Sequence, residues 1–156
     1  MKATLILVGK TTEDVFVRAI ADYTGRIAHY LPFNIVTLPE LKNTKKLSEA
    51  QQKDRESEMI LKEIQTSDTV VLLDEHGKEF RSVEYAAWLQ KKQNTAKRLV
   101  FVIGGPYGFS KAVYDRANEK ISLSKMTFSH QMVRLIFVEQ LYRACSIIKG
   151  EPYHHE

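Results

Sequence analysis

Leu99-Val100-Phe101-Val102-Ile103-Gly104-Gly105-Pro106-Tyr107-Gly108 is the stretch on which the reading of this chain turns. Five successive apolar residues with no polar alternation describe a strand covered on both faces, as in a parallel sheet. The run breaks into two adjacent glycines, which permit positive φ and let backbone amides and carbonyls approach a flat ligand closely. Pro106 stiffens the turn that follows. The pattern is neither the Walker loop nor the dinucleotide fingerprint, so no phosphate cradle is read from it. Taken alone, the glycine pair is served as well by a tight strand-to-helix turn that binds nothing.

The same grammar recurs on either side. Residues 3–8 form an apolar run closed by Gly9, and residues 33–38 form another after Pro32. Residues 69–73 are a buried strand that ends abruptly in Asp74-Glu75-His76-Gly77-Lys78, and residues 120–123 lead into Ser124-Lys125-Met126-Thr127. Helical stretches separate these runs. Residues 11–14 offer a threonine cap with carboxylates in the first turn, where the helix dipole favours them. Phe16, Ile20, Tyr23, Ile27 and Tyr30 then follow at three- and four-residue spacing. Residues 48–65 read as a mostly exposed helix, with Glu58 and Lys62 four apart. Residues 82–92 are expected to turn Val83, Ala86, Ala87 and Leu89 inward, with Trp88 near the edge. A short helix spans 111–117, and a long amphipathic one spans 131–149, stopped by Gly150 and Pro152.

Alternating strands and helices predict an α/β fold, a mostly parallel sheet with helices on both faces. Ligands of such sheets lie beyond the carboxyl ends of the strands, where the strand order reverses. Three strand ends carry unusual residues: those after Leu73, Ile103 and Leu123. Beyond the last of them, His130 and Arg134 stand four apart, so one helix face can offer an imidazole and a fixed cation to the same anion. Without context, that pair reads better as two solvated residues at a capped helix start. Cys145 sits among apolar neighbours and reads as core filler. Trp88 reads as partial core and His29 as surface.

Composition bounds the rest. The 156 residues are 44% hydrophobic and 27% charged, which fits one globular domain with a core of its own. The 23 basic residues against 19 acidic leave +4, a balance that admits a polyanionic partner without requiring one. Lys42, Lys45 and Lys46 cluster in residues 39–47, read as a mobile loop, and Lys91, Lys92, Lys97 and Arg98 surround another. The absence of a signal peptide, of a long apolar span and of a second cysteine leads to an expected cytoplasmic location.

Taken in order, these motifs resemble one family over the whole chain. Leu72-Leu73-Asp74-Glu75 with Gly77-Lys78, Val102-Ile103-Gly104-Gly105-Pro106 with Gly108, and Leu123-Ser124 with Met126-Thr127 and His130 are similar to the ribosomal RNA large-subunit methyltransferase H family. So are Arg134, Glu139-Gln140-Leu141-Tyr142-Arg143-Ala144 and Pro152-Tyr153-His154. The resemblance implies a SPOUT-type sheet with a deep C-terminal trefoil knot in a single domain, residues 1–156. It implies S-adenosyl-L-methionine as cofactor, held by Leu72, Leu73 and Asp74, by Gly104, Gly105 and Gly108, and by Leu123, Ser124, Lys125, Met126, Thr127 and Phe128. It further implies methylation of N3 of a pseudouridine in bacterial 23S ribosomal RNA, and a homodimer whose tail completes the site. The catalytic set carried over is His130 and His154 for proton handling, Arg134 for charge stabilisation, and Tyr153, with Arg143, for positioning. The family usually has an arginine just before the final glutamate; His155 stands there, so a phosphate anchor at that place would depend on pH.

Two other readings make different predictions. A non-catalytic ribosome-binding module on the same fold would not bind the cofactor saturably. A flavodoxin-like enzyme would be stabilised by a mononucleotide instead.

Overall fold

The computed structural model describes residues 1–155; Glu156, the last residue of the expected domain, lies outside the described residues. Among the described residues, five strands form one sheet: β1 (Lys2–Val8), β2 (Phe33–Leu38), β3 (Thr69–Glu79), β4 (Arg98–Ile103) and β5 (Glu119–Ser122). Their order is β2-β1-β4-β3-β5, and every neighbouring pair is parallel. Five helices alternate with them: α1 (Asp14–Ile27), α2 (Glu49–Glu63), α3 (Ser82–Thr95), α4 (Lys111–Arg116) and α5 (Met132–Ile148).

Side chains alternate across a strand, so each strand feeds two cores. Leu5, Leu7, Val71, Phe101 and Ile103 pack beneath Ile20 of α1, Leu89 of α3 and Phe137 and Leu141 of α5. Ile6, Val8, Val70, Leu72, Val100 and Val102 pack against Ile60 of α2 and Val113 of α4 on the opposite face. The unbroken apolar runs thus have the cause read from the sequence, helices on both faces.

Four local expectations are corrected. Helix α1 starts at Asp14, and Glu13 in the N-cap position makes no side-chain cap. Gln131 instead ties down the segment before the helix: its Oε1 accepts from the Thr12 N–H at 2.8 Å and the Glu13 N–H at 3.5 Å. On α3 the inward residues are Tyr85, Ala86 and Leu89, whereas Val83 and Ala87 are exposed. Burying the Tyr85 ring, which stacks on Trp88 at 5.5 Å, hides more apolar surface than a valine and an alanine would. Strand β3 does not stop at Leu73. It makes an irregular excursion and rejoins β5, so that both Leu73 and Lys78 oppose Ile121. Finally, Lys92 pairs with Glu119 and Arg98 with Asp68, so the second basic cluster is partly spent on ion pairs at the sheet edge.

Helix α2 carries a capping box: Ser48 Oγ accepts from the Gln51 N–H at 3.1 Å, and Gln51 Oε1 accepts from the Ser48 N–H at 2.9 Å. Ser48→Ala is expected to cost about 1 kcal/mol, read as a lowered midpoint in urea at unchanged slope. At the other end of the chain, α5 closes as the sequence predicts. Gly150 adopts φ 71°, and the Gly150 and Glu151 amides donate to the Ile147 and Ser146 carbonyls, both at 3.0 Å.

The connections fix where a ligand belongs. β1 leads through α1 to β2 on one side, and β4 leads through α4 to β5 on the other. The carboxyl ends of β1 and β4 therefore flank the point at which the strand order reverses.

Candidate active site

Three strand ends converge. Leu73 and Asp74 after the first limb of β3, Ile103 at the end of β4, and residues 122–124 after β5 line one slot of about 160 Å³. Met126, Thr127, Phe128 and Val133 close it. The main chain turns tightly here: Ser124 Oγ accepts from the Met126 N–H at 2.9 Å, and Ser122 Oγ donates to the Ser124 carbonyl at 2.9 Å. Asp74 is held twice, accepting from the His76 N–H at 2.8 Å and from the Tyr114 hydroxyl. The slot therefore has apolar walls with main-chain polar groups at its edge, a surface suited to a flat heterocycle.

A second cavity of about 580 Å³ adjoins it, sharing Phe128 and Val133. Val8 at the end of β1 and Gly105 and Pro106 after β4 line it, with Glu40, Gln52, Glu56 and His130. It thus occupies the topological switch point. Burial lowers the His130 pKa, the nearby Arg134 cation lowers it further, and the Val8 carbonyl works against both. Glu40 opposes the shift as well, and the net direction favours the neutral form near pH 7, since the ordinary value is about 6.5. Burial raises the Glu56 carboxyl above the usual range, Gln52 opposes the shift, and Glu40 adds to it.

The glycine pair acts by close approach and not by positive φ, which among glycines is confined to Gly9, Gly108 and Gly150. A Cβ at Gly105 would lie 2.3 Å from Glu56 Oε1, and one at Gly104 would lie 2.9 Å from the Phe109 ring. A side chain at either position would have to displace the Glu56 carboxyl or the Phe109 ring.

The remaining expected residues are placed less uniformly. Leu72 is fully buried in the core beneath α2 and α4, and its side chain faces away from the slot. Lys125 is exposed outside the slot, and Gly108 sits in an open turn. Arg134 lines neither cavity. It is 1% exposed, and its guanidinium donates to the Val8 and Gly9 carbonyls and to Thr11 Oγ1, each at 2.9 Å. Tyr153 and His154 dock on their own α5: the Tyr153 hydroxyl donates to Glu139 Oε1 at 2.9 Å, and Arg143 Nη1 lies 3.0 Å from His154 Nδ1. At 1.5 Å per helical residue, Arg143 lies about 15 Å along α5 from Val133. The tail and the slot are thus not brought together within one chain. Cys145 is buried core as read, its thiol pushed up to about 12 by burial.

Glu56, Glu40 and Gln131 were not legible as site or frame residues. Glu56 lies on a helix of mostly polar sequence, and nothing in spacing marks one carboxylate of that helix as 4% exposed. A larger concavity, about 1210 Å³ between α1, β2 and residues 39–42, lies at none of the three convergent strand ends.

The family model described as "Predicted SPOUT methyltransferase" matches residues 1–154. The chain belongs to the SPOUT methyltransferase family. It is 63% identical to a Bacteroides fragilis protein named ribosomal RNA large subunit methyltransferase H, over all of both chains. Proteins of the same name from Phocaeicola vulgatus and Parabacteroides distasonis are 62% and 61% identical, again over the full length of each. Within this SPOUT methyltransferase, a methyl donor is the ligand for which the slot must be tested. Apolar walls from Leu73, Ile103, Leu123 and Phe128 fit the flat, uncharged part of such a ligand.

Proposed function

We propose that this chain transfers a methyl group from S-adenosyl-L-methionine to N3 of a pseudouridine in 23S ribosomal RNA. The observation that carries the reading is the convergence of three strand ends on one slot beside a cavity lined by His130. When bound, S-adenosyl-L-methionine supplies an electrophilic methyl carbon on a sulfonium. Leu73, Asp74 and residues 123–128 would hold it, with Gly104, Gly105 and Gly108 shaping the neighbouring loop.

N3 of a pseudouridine bears a proton and has no free lone pair until that proton leaves. His130 accepts it, as a neutral imidazole poised near working pH can. Burial and, after it, the Arg134 cation favour the neutral imidazole. The activity is therefore expected to fall as pH drops, with an acid limb centred below 6.5 that His130→Gln removes. A limb above 6.5, or one that survives the substitution, would take the proton-accepting role from His130.

The proposal includes a homodimer, a single domain over residues 1–156 and a deep C-terminal trefoil knot. A docked tail about 15 Å along α5 from Val133 supports the dimer, because only the partner's tail could then bring Tyr153 and His154 to this slot. Half-buried Leu135, Ile136 and Ile148 on α5 are suited to an isologous contact. Exposed Lys42, Lys45 and Lys46 flank the Leu41 and Thr44 rim of the cavity, where an RNA backbone would be drawn. A cytoplasmic setting suits a single buried thiol; no helix among the described residues is long and apolar enough to cross a membrane.

The decisive experiment gives purified protein and radiolabelled donor to ribosomes lacking the modification. Label at one pseudouridine is expected; donor binding without label in RNA would overturn the substrate.

A further inference from the structure

The slot is too small for a whole methyl donor. Its volume of about 160 Å³ falls below the roughly 300–1,000 Å³ of sites that enclose small-molecule ligands. The adjoining cavity, about 580 Å³, falls inside that range and shares the Phe128 and Val133 wall. It holds an unexplained group. Glu56 lines it at 4% exposure, and its Oε1 has no hydrogen-bond partner among the described residues. Native proteins rarely leave such an oxygen unmatched, so it needs an explanation. Glu40 stands at the same cavity, and no lysine or arginine lines it. The two carboxylates therefore favour a cationic group on the Glu56 side of the cavity.

We propose that this cavity receives the amino-acid end of S-adenosyl-L-methionine, with Glu56 accepting a hydrogen bond from the α-ammonium group. The inference rests on the methyl-donor reading above and adds a cofactor-binding residue to it. The terminal torsion of a glutamate is soft, so a small turn of the carboxyl presents Oε1 to the cavity that the side chain already lines. Glu56 also packs against Gly105, so the same side chain links the donor's charged end to the loop between slot and helix.

Calorimetry with three probes tests this. S-adenosyl-L-homocysteine, the donor without its methyl group and sulfonium charge, carries both the ammonium and the carboxylate, its decarboxylated form keeps only the ammonium, and 5′-methylthioadenosine lacks the amino-acid end, so the three share a neutral sulfur and differ in that end. Glu56→Gln is expected to weaken the first two by about tenfold or more, as loss of a charge-assisted hydrogen bond does, and to leave 5′-methylthioadenosine within about twofold. Unchanged binding of that third probe also shows that the variant is folded. Equal weakening of all three would make Glu56 a support for the loop and overturn the proposal. So would no weakening of any, or wild-type protein that binds 5′-methylthioadenosine as tightly as S-adenosyl-L-homocysteine. If wild-type protein binds none of the three, the methyl-donor reading itself falls.

Discussion

Arg134→Ala is expected to destabilise the protein by about 3–5 kcal/mol, the largest effect of any single substitution considered. The guanidinium is buried and ties the Val8 and Gly9 carbonyls and the Thr11 hydroxyl to α5. Alanine leaves those acceptors under the fold without a donor, and an unmatched buried polar group loses its full solvation. It also opens a void that the packed core closes only in part. For a chain of this size the loss corresponds to a drop of roughly 10 °C in melting temperature, read by circular dichroism. Arg134→Lys is expected to recover only part of it, because an ammonium cannot reproduce the planar fork. The same end of β1 lines the second cavity, so donor binding should weaken in step with stability. A variant of normal stability with lost activity would instead put the guanidinium at the reacting atoms.

Gly77→Ala is expected to cost about 3 kcal/mol, and Gly77→Val more. A Cβ at this position would lie 2.6 Å from both the backbone N and C of Ile121 and 2.7 Å from the Lys120 carbonyl carbon. These are main-chain atoms of β5 and have no rotamer by which to retreat. The strain has one outlet, displacement of β5 from the returning limb of β3 at Lys78 and Glu79. Since Ser122, Leu123 and Ser124 continue from β5 into the slot wall, affinity for the methyl donor should fall by about tenfold or more along with the melting temperature. Calorimetry and thermal unfolding of the purified variant measure the two effects together. Normal values of both would mean that the two strands pass less tightly than described.

The two substitutions also mark how far the residues could be read without coordinates. Residues 3–8, 69–73 and 99–103 were legible as strands buried on both faces because period and composition are local properties, and helices do cover both faces. The ends of those strands were legible as turns for the same reason: glycine, proline and short polar side chains break these apolar runs where the chain turns. The inward face of α3 was not legible, since its weak periodicity allows two phases and the Tyr85 ring chose between them by packing on Trp88 and Phe80. Residues 74–77 looked like a plain loop because nothing in them signals that the chain returns to pair with β5. The hold of Gln131 on residues 12 and 13 could not be found either, for its partners lie more than a hundred residues away.

By itself the sequence determined the α/β class, the positions of the strands, the helix that ends the chain and the three turns that carry the site, all set by short-range periodicity and backbone preference. Tertiary structure alone decided that Arg134 holds the frame from behind the site, that Gly77 passes against β5 and that Glu56 lies buried beside the slot. Each of these depends on which distant atoms stand within a few ångströms, and burial and hydrogen-bond pairing between remote segments leave no period in the chain.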